Sequence, residues 1–533
     1  MKKITKAALL VSAGALCVLA ASCGGGEKNI ETNSDSANTL SYWVAMPTQV
    51  SEHYTTMNEM TVYKELEKQT GIHLDFVHVP AAQEQEKFTL MIASGNMPDL
   101  IETNWKRYYS GGPTKALQDG MILKADDYIE EYMPSFKKIM DENDETRRSV
   151  VTSDGYYCIF PRVRLSDAES KAAIKGNFGG MIIRKDWLDE LGLALPETMD
   201  EWDTALKAFQ TKLGVEHPLK LDSGWFKPEG NGNDFNNAYG VDKGWFVKDG
   251  KVKFGPAEQG YKDYIVKMHE WYKAGILDPE FDTTGGSTLI SSVIDGSTGA
   301  FYAFLGTVGN IYSSNELPDG FELQATQFPV LKKGEEPYFM NKATITSYPH
   351  IAVSKKCTNP ELAFKWIDTL YSEEGAVINY FGSEGLTYTK VDDYLVAYTD
   401  EILDNPEGLS VNEALAKHTR SFTAVPGLVP KTKTSNSKYT IPAQQESYER
   451  LNIYFKNIFD VQIPEIEYPA EYAEEVSSIE FDINTYVWET VIRYIKGTES
   501  LDDYDKFLAQ LKTLKLDRLT EIKQNAYDVY VKN

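Results

Sequence analysis

From Thr39 onward the apolar positions fall into short runs separated by helical stripes. Leu40 to Val44 reads as a strand, and Thr61 to Gln69 is helical in composition and stops at Gly71, a left-handed cap. Ile72, Leu74 and Phe76 then alternate as a second strand. Phe88, Met91 and Ile92 share one helix face that Gly95 closes, and Asp99-Leu100-Ile101 opens a third strand. Strand, helix, strand, helix, strand at this spacing predicts a parallel α/β sheet. The pattern returns with a short strand at Met181 to Ile183. Thr198 and Glu201 then form a capping box ahead of the buried stripe Trp202, Ala205, Leu206 and Phe209. Ala300 to Phe304 and Ile351 to Val353 are further strands. Asn359 and Pro360 fit N-cap and N1 of a helix that buries Ala363, Trp366, Ile367 and Leu370. Ser500 caps a last helix in which Tyr504, Phe507, Leu508 and Leu511 are spaced for burial.

The first residues change the picture from a soluble α/β chain to an exported one. Lys2, Lys3 and Lys6 form a basic n-region, Ala7 to Leu19 an apolar h-region, and Leu19-Ala20-Ala21-Ser22-Cys23 a small-residue cleavage site. The apolar run is too short for a stable membrane span. Residues 1–22 therefore read as a lipoprotein signal, with Cys23 as the lipidated N-terminus of the mature chain. Residues 23–39, rich in Gly, Ser and Asn, read as a flexible tether with almost nothing to bury. The expected location is extracytoplasmic, on a cell membrane.

A chain of 533 residues is too long for one core, so two large lobes are expected. The net charge of −25 repels phosphate backbones and excludes nucleic acid as a partner. Cys158 and Cys357 fit no CxxC metal or redox spacing. Cys158, in the strand-like run Tyr156 to Phe160, reads as a buried thiol, although export would permit a disulfide between the two.

No catalytic motif stands out. The seven histidines contain no HExxH pair, and neither GxSxG nor GxxxxGK[ST] is present. GNGNDF at 230–235 lacks the last Gly of a dinucleotide loop and the ligand spacing of an EF-hand. No cofactor, metal or enzymatic activity is expected. Aromatic residues are the better clue, because a sugar ring needs flat apolar platforms flanked by fixed hydrogen-bonding groups. Asn104 and Trp105 follow a strand directly, with Tyr108 close behind; open α/β sheets bind ligands at strand carboxyl ends, so Trp105 and Tyr108 read equally as ligand contacts or as packing. Trp225, Phe226 and Tyr239 lie in a Gly/Asn-rich stretch of the kind that carries binding groups. Trp225 reads as a platform and Trp43, ending the first strand, as core or platform. Trp202 and Trp366 read as core, and Trp245 as part of a hairpin turning at Asp249-Gly250.

The stretches EKQTGIHLDF, FTLMIASGNMPDLIETNW, DGMILKADDYI, IIRKDWLDELGLALPETMDEW and FGSEGLTY resemble the extracellular solute-binding proteins, family 1, of bacterial ABC importers. They are similar in particular to the large lipoprotein branch whose members bind oligosaccharides, and the likeness spans nearly the whole mature chain. The resemblance implies a two-lobed periplasmic-binding-protein-like fold of type II, its lobes joined by crossing hinge strands. One lobe would comprise 40–162 and 305–375, the other 163–304 and 376–533 with a helical C-terminal region. Hinges would fall near Pro161–Arg164, Phe304–Gly309 and Tyr371–Gly375.

On this template Arg162, Arg164 and Phe304 would adjoin the cleft, where an Arg fork holds sugar hydroxyls or a uronate carboxylate, or makes an interlobe salt bridge. Glu384 would sit in the family's turn as a hydroxyl acceptor or as a turn residue. The function implied is a monomeric, membrane-tethered receptor that closes on an oligosaccharide and delivers it to an ABC permease. A surface glycoside hydrolase and a peptide or polyol receptor on the same fold are the alternatives.

Overall fold

The computed structural model describes residues 37–152, 154–165, 178–230, 232, 234–337, 346–392, 395–431, 433–434, 441–453, 463, 466 and 468–532. The signal segment, Cys23 and nearly all of the tether lie outside the described residues. Fifteen strands are described. In chain order they are β1 (Thr39–Met46), β2 (His73–Pro80), β3 (Leu100–Thr103), β4 (Phe160–Val163), β5 (Gly179–Arg184), β6 (Leu219–Lys220), β7 (Trp245–Lys248), β8 (Lys251–Phe254), β9 (Ala300–Phe304), β10 (Leu323–Ala325), β11 (Thr346–Val353), β12 (Tyr388–Asp392), β13 (Leu395–Tyr398), β14 (Gly427–Leu428) and β15 (Lys433–Thr434).

Two sheets organise the chain. The first runs β14-β4-β11-β3-β1-β2, and the second runs β10-β5-β9-β6. β1 pairs in parallel with both β2 and β3, as the strand–helix alternation predicts, while β11 enters antiparallel between β3 and β4. The first crossover helix, Thr61–Thr70, buries Val62, Tyr63 and Leu66 and ends at Gly71 with φ +68°. The second, Glu84–Ser94, buries Phe88 and Met91 and ends at Gly95 with φ +67°. Both caps need the left-handed backbone that glycine adopts without steric cost. In the second sheet the capping box of Thr198 and Glu201 opens Met199–Lys212, which packs Trp202, Leu206 and Phe209 into the core. β7 and β8 form the expected hairpin around Asp249-Gly250, and the long helix Ala470–Lys496 closes the second core.

Strand pairing redraws the expected lobe boundaries. Residues 305–325, expected in the first lobe, belong to the second. Helix Leu305–Tyr312 grows straight out of β9, its Leu305, Val308 and Ile311 join that core, and β10 pairs with β5. Residues 376–430, expected in the second lobe, belong to the first. β14 pairs with β4, Leu428 and Ala416 join the first core, and Arg420 forms an ion pair with Glu102 of β3. The expected hinges at Phe304–Gly309 and Tyr371–Gly375 therefore lie inside lobes, where apolar side chains lock them. The chain passes between the sheets after Arg164, again between Val330 and Thr346, and a third time between Thr434, still paired with β13, and helix Pro442–Leu451.

Candidate ligand-binding site

The interlobe surface is built where β5 begins and β9 ends. Gly179 pairs with Phe304 in the antiparallel register. A Cβ at Gly179 would stand 2.6 Å from Tyr302 Oη and 2.8 Å from Phe304 Cδ1, so bare backbone here lets both rings lie over the strand. Phe304 is 48% exposed, and beside it Phe178 stacks on Tyr448 with centroids 5.6 Å apart and planes 25° from parallel. Phe178 and Phe304 edge a cavity of about 560 Å³ that both lobes line. The second lobe contributes Phe178, Phe304 and the face of helix Leu305–Tyr312 that carries Thr307 and Asn310, with Gln444 from helix Pro442–Leu451. The first lobe contributes Phe422 and the start of helix Val411–His418, with Ser410 and Asn412.

Small residues set the width of this space. A Cβ at Gly306 would lie 3.4 Å from Asn412 Nδ2, and one at Gly309 would lie 2.6 Å from Gln444 Nε2. Gln444 Nε2 donates to the carbonyl of Leu305 at 2.7 Å, which fixes the amide and leaves its oxygen as an acceptor. Ser410 caps its helix in a reciprocal box with Glu413. The result is aromatic faces bordered by hydroxyls and amides, the chemistry that a polyol ring matches.

A second polar patch lies at the carboxyl ends of the first sheet. Thr103 Oγ1 donates to Glu84 Oε1 at 2.7 Å, and burial, the largest influence, raises the Glu84 carboxyl above its usual range. Asn104 is half-buried at the N-cap of Trp105–Tyr108 without capping it through its side chain. Burial and then the charge of Glu84 push the Tyr108 hydroxyl upward. Arg107 reaches Glu229 of the second lobe at 4.0 Å, so this edge also faces across the divide.

The expected platforms are corrected by the packing. Trp105 and Trp225 are both fully buried. Trp105 Nε1 donates to the Ile101 carbonyl at 3.1 Å and its ring meets Phe88 edge-on. Trp225 Nε1 donates to Tyr264 Oη at 3.0 Å, and its ring packs among Phe235 and Tyr302. Phe226 is buried against Phe281, and Trp43 against Phe88. In each case a large apolar ring is worth more inside a core than at a wet surface, and for Trp105 and Trp225 the indole N–H is also satisfied there. Tyr239 is half-buried, 6.2 Å from Tyr264, its hydroxyl raised by burial.

Glu384 is exposed, pairs with Lys390 at 3.3 Å and lines a different groove, wholly on the first lobe. Arg162 and Arg164 are half-buried on and just after β4, and no carboxylate lies within salt-bridge reach among the described residues. Burial, then the charge of Arg162, lowers Arg164 to about 10. Of the expected residues, only Phe304 lines the shared cavity; Phe178, Thr307, Asn310, Ser410, Asn412 and Gln444 line it without a sequence-based expectation. The small-and-polar stripe of LGTVGNIYS, residues 305–313, is a signal for Thr307 and Asn310; the other four carry none in the local sequence.

Comparison with known proteins now bears on this geometry. The sequence model of the bacterial extracellular solute-binding proteins matches residues 49–377. The chain belongs to this family. Over 579 aligned positions it is 27% identical to the fructooligosaccharide ABC transporter substrate-binding protein FusA of Streptococcus pneumoniae, covering 100% of this chain and 99% of FusA. The structure of FusA in complex with kestose superposes with a TM-score of 0.72 at 22% identity, covering 93% of this chain and 100% of that one. The alginate-binding protein AlgQ2 without calcium ion gives 0.69 at 23% identity, over 92% and 98% of the two chains. The polygalacturonan/rhamnogalacturonan-binding protein YtcQ of Bacillus subtilis is 24% identical over 350 residues, 62% of this chain and 64% of YtcQ. The two-lobed solute-binding fold is shared with these structures. Among the described residues no helix is long and apolar enough to cross a membrane, and no group of three His, Cys, Asp or Glu side chains could hold a metal ion.

Proposed function

We propose that this family member is a membrane-tethered receptor that captures an oligosaccharide between its lobes and delivers it to an ABC importer. The observation that carries the reading is the cavity to which both lobes bring aromatic faces and neutral hydrogen-bonding groups. A ligand that touches Phe304 and Asn310 on one side and Ser410 and Asn412 on the other stabilises the closed arrangement selectively, so binding and closure are one equilibrium. The full-length likeness to FusA, whose ligand is a fructooligosaccharide, supports the class of ligand. The lipobox-like LAASC ahead of a Gly- and Ser-rich tether supports anchoring through a lipid on Cys23. The protein works as a monomer and leaves its ligand chemically unchanged.

Calorimetric titration of the mature protein with kestose and a panel of other oligosaccharides tests the reading, combined with small-angle scattering. Saturating ligand is expected to reduce the radius of gyration and to leave the sugar intact by chromatography. A panel in which no oligosaccharide binds, or in which a bound one is hydrolysed, overturns it. Cys23→Ala is expected to release the protein from membranes, and retention of the variant there would sink the anchor.

A further inference from the structure

Resting on the receptor reading, we infer that the glycan this cavity takes is uncharged. The polar lining consists of Thr307, Asn310 and Ser313 from one helix, Gln444 beside it, and Ser410 and Asn412 from the opposite lobe. Every one is a neutral amide or hydroxyl, and no Lys, Arg, His, Asp or Glu lines the cavity among the described residues. Hydroxyl and amide groups donate and accept at once, which suits sugar hydroxyls that must do the same. A uronate or sulfate lodged here would lose its hydration shell and gain no cation, which costs several kcal/mol for each buried ion. A neutral ring loses only hydrogen bonds that the lining replaces.

The width of the space repeats the argument. Gly306 and Gly309 let the amides of Asn412 and Gln444 approach the helix backbone, where any side chain at position 309 would collide with Gln444. The Gln444 amide is fixed by its bond to the Leu305 carbonyl, while Arg162 and Arg164, on and just after β4, stand outside this lining. No ion pair joins either arginine to a carboxylate among the described residues, so they are the cations whose removal tests for an anionic glycan held at the crossing chain. The two possibilities make opposite demands on the same protein.

The experiment compares matched pairs: galactotriose with trigalacturonate, and kestose with a sulfated trisaccharide, each titrated into the mature protein by calorimetry. Binding is expected only for neutral members, with an affinity that changes less than about 2-fold between about 0.05 M and about 0.5 M NaCl, because no ion pair is there to screen. Asn310→Ala and Asn412→Ala are each expected to weaken binding about 10-fold, the loss of one hydrogen bond at an interface. The double variant Arg162→Gln/Arg164→Gln is expected to bind within about 3-fold of the parent, well under one lost charged contact. Preferential binding of trigalacturonate or the sulfated sugar, lost with salt and in the arginine double variant, overturns the inference while leaving the receptor intact. Absence of binding to every sugar of both series overturns the receptor reading, and the inference falls with it.

Discussion

The first lobe holds Ser410 and Asn412 in place through buried charge, whereas the second holds Phe304 and Asn310 through apolar packing. In the first, Arg420 forks onto Glu102, donates to Tyr63 Oη at 3.1 Å, and shares Glu102 with the Tyr42 hydroxyl. This network pins the segment after helix Val411–His418 to the middle of the sheet. In the second, helix Leu305–Tyr312 leaves β9 with three apolar residues already buried, and no ion pair fixes it among the described residues. A charge network fixes a position sharply but fails at once when one partner goes. An apolar face yields gradually, because neighbouring side chains collapse partly into a gap.

The largest effect should come from breaking each lobe by its own mechanism. Arg420→Ala leaves Glu102, 3% exposed, as an unpaired buried carboxylate, and should cost about 3–5 kcal/mol in urea unfolding. Adding Glu102→Leu to Arg420→Met should restore much of that loss, since removing both charges also removes both desolvation costs. Trp225→Ala in the second lobe should cost about 3–5 kcal/mol with no second substitution that rescues it. If the paired first-lobe variant is no better than the single one, charge is not what holds that lobe.

Acid should separate the lobes next. Burial, then Arg420, lowers His78 to about 4, and burial, then Lys106, lowers His350 to about 3. Both stand on the first sheet. In the unfolded chain each takes up a proton near pH 6.5, while the folded protein refuses it down to those values. Their contribution is therefore complete above about pH 6.5 and declines as pH falls toward 4 and below, by about 2 kcal/mol each at pH 4.5. Glu84, raised by burial, titrates in the opposite sense and offsets a part. Amide exchange at pH 4.5 and 7 should show first-lobe strands losing more protection than β5 and β9. Equal loss in both lobes would break the comparison.

Binding should respond to Phe304 and hardly at all to the buried tryptophans. Phe304→Ala removes an exposed ring at the cavity edge and should weaken sugar binding by about 2 kcal/mol, or about 30-fold, while moving the melting temperature little. Trp225→Ala should do the reverse, lowering stability and leaving the folded fraction competent. Normal affinity in Phe304→Ala would place the ring-stacking surface elsewhere.

That contrast also shows what a one-dimensional pattern carries. Periodicity locates β1, its crossover helices and the capping box of Thr198 and Glu201, because those depend on neighbours within a few residues. Trp225 sits in a glycine-rich stretch that resembles a binding loop, yet the same glycines serve packing: a Cβ at Gly232 would fall 2.1 Å from its ring. Lobe membership depends on pairings such as Gly427 with Arg162, more than two hundred residues apart, and no local signal announces them. Asn310 and Asn412 become neighbours of one cavity only after this pairing and that of β10 with β5 are made.

The smallest effect is the most selective probe of the first lobe's share of the site. Ser410 Oγ accepts from the Glu413 backbone at 3.4 Å, and Glu413 Oε2 accepts from the Ser410 backbone at 2.8 Å. The serine hydroxyl thus spends an acceptor position on the cap and keeps its own proton for a ligand. Ser410→Ala loses both functions, so it should cost about 1 kcal/mol of stability and also reduce affinity. Glu413→Gln keeps a side-chain acceptor for the Ser410 backbone and leaves the hydroxyl untouched. It should cost no more than a few tenths of a kcal/mol and leave affinity unchanged. Ser410→Gly, a tolerated N-cap, should recover most of the stability but none of the affinity. Thermal melts alongside calorimetry read the two quantities separately. If affinity returns with stability in Ser410→Gly, the hydroxyl serves the helix alone and the first lobe presents Asn412 without it.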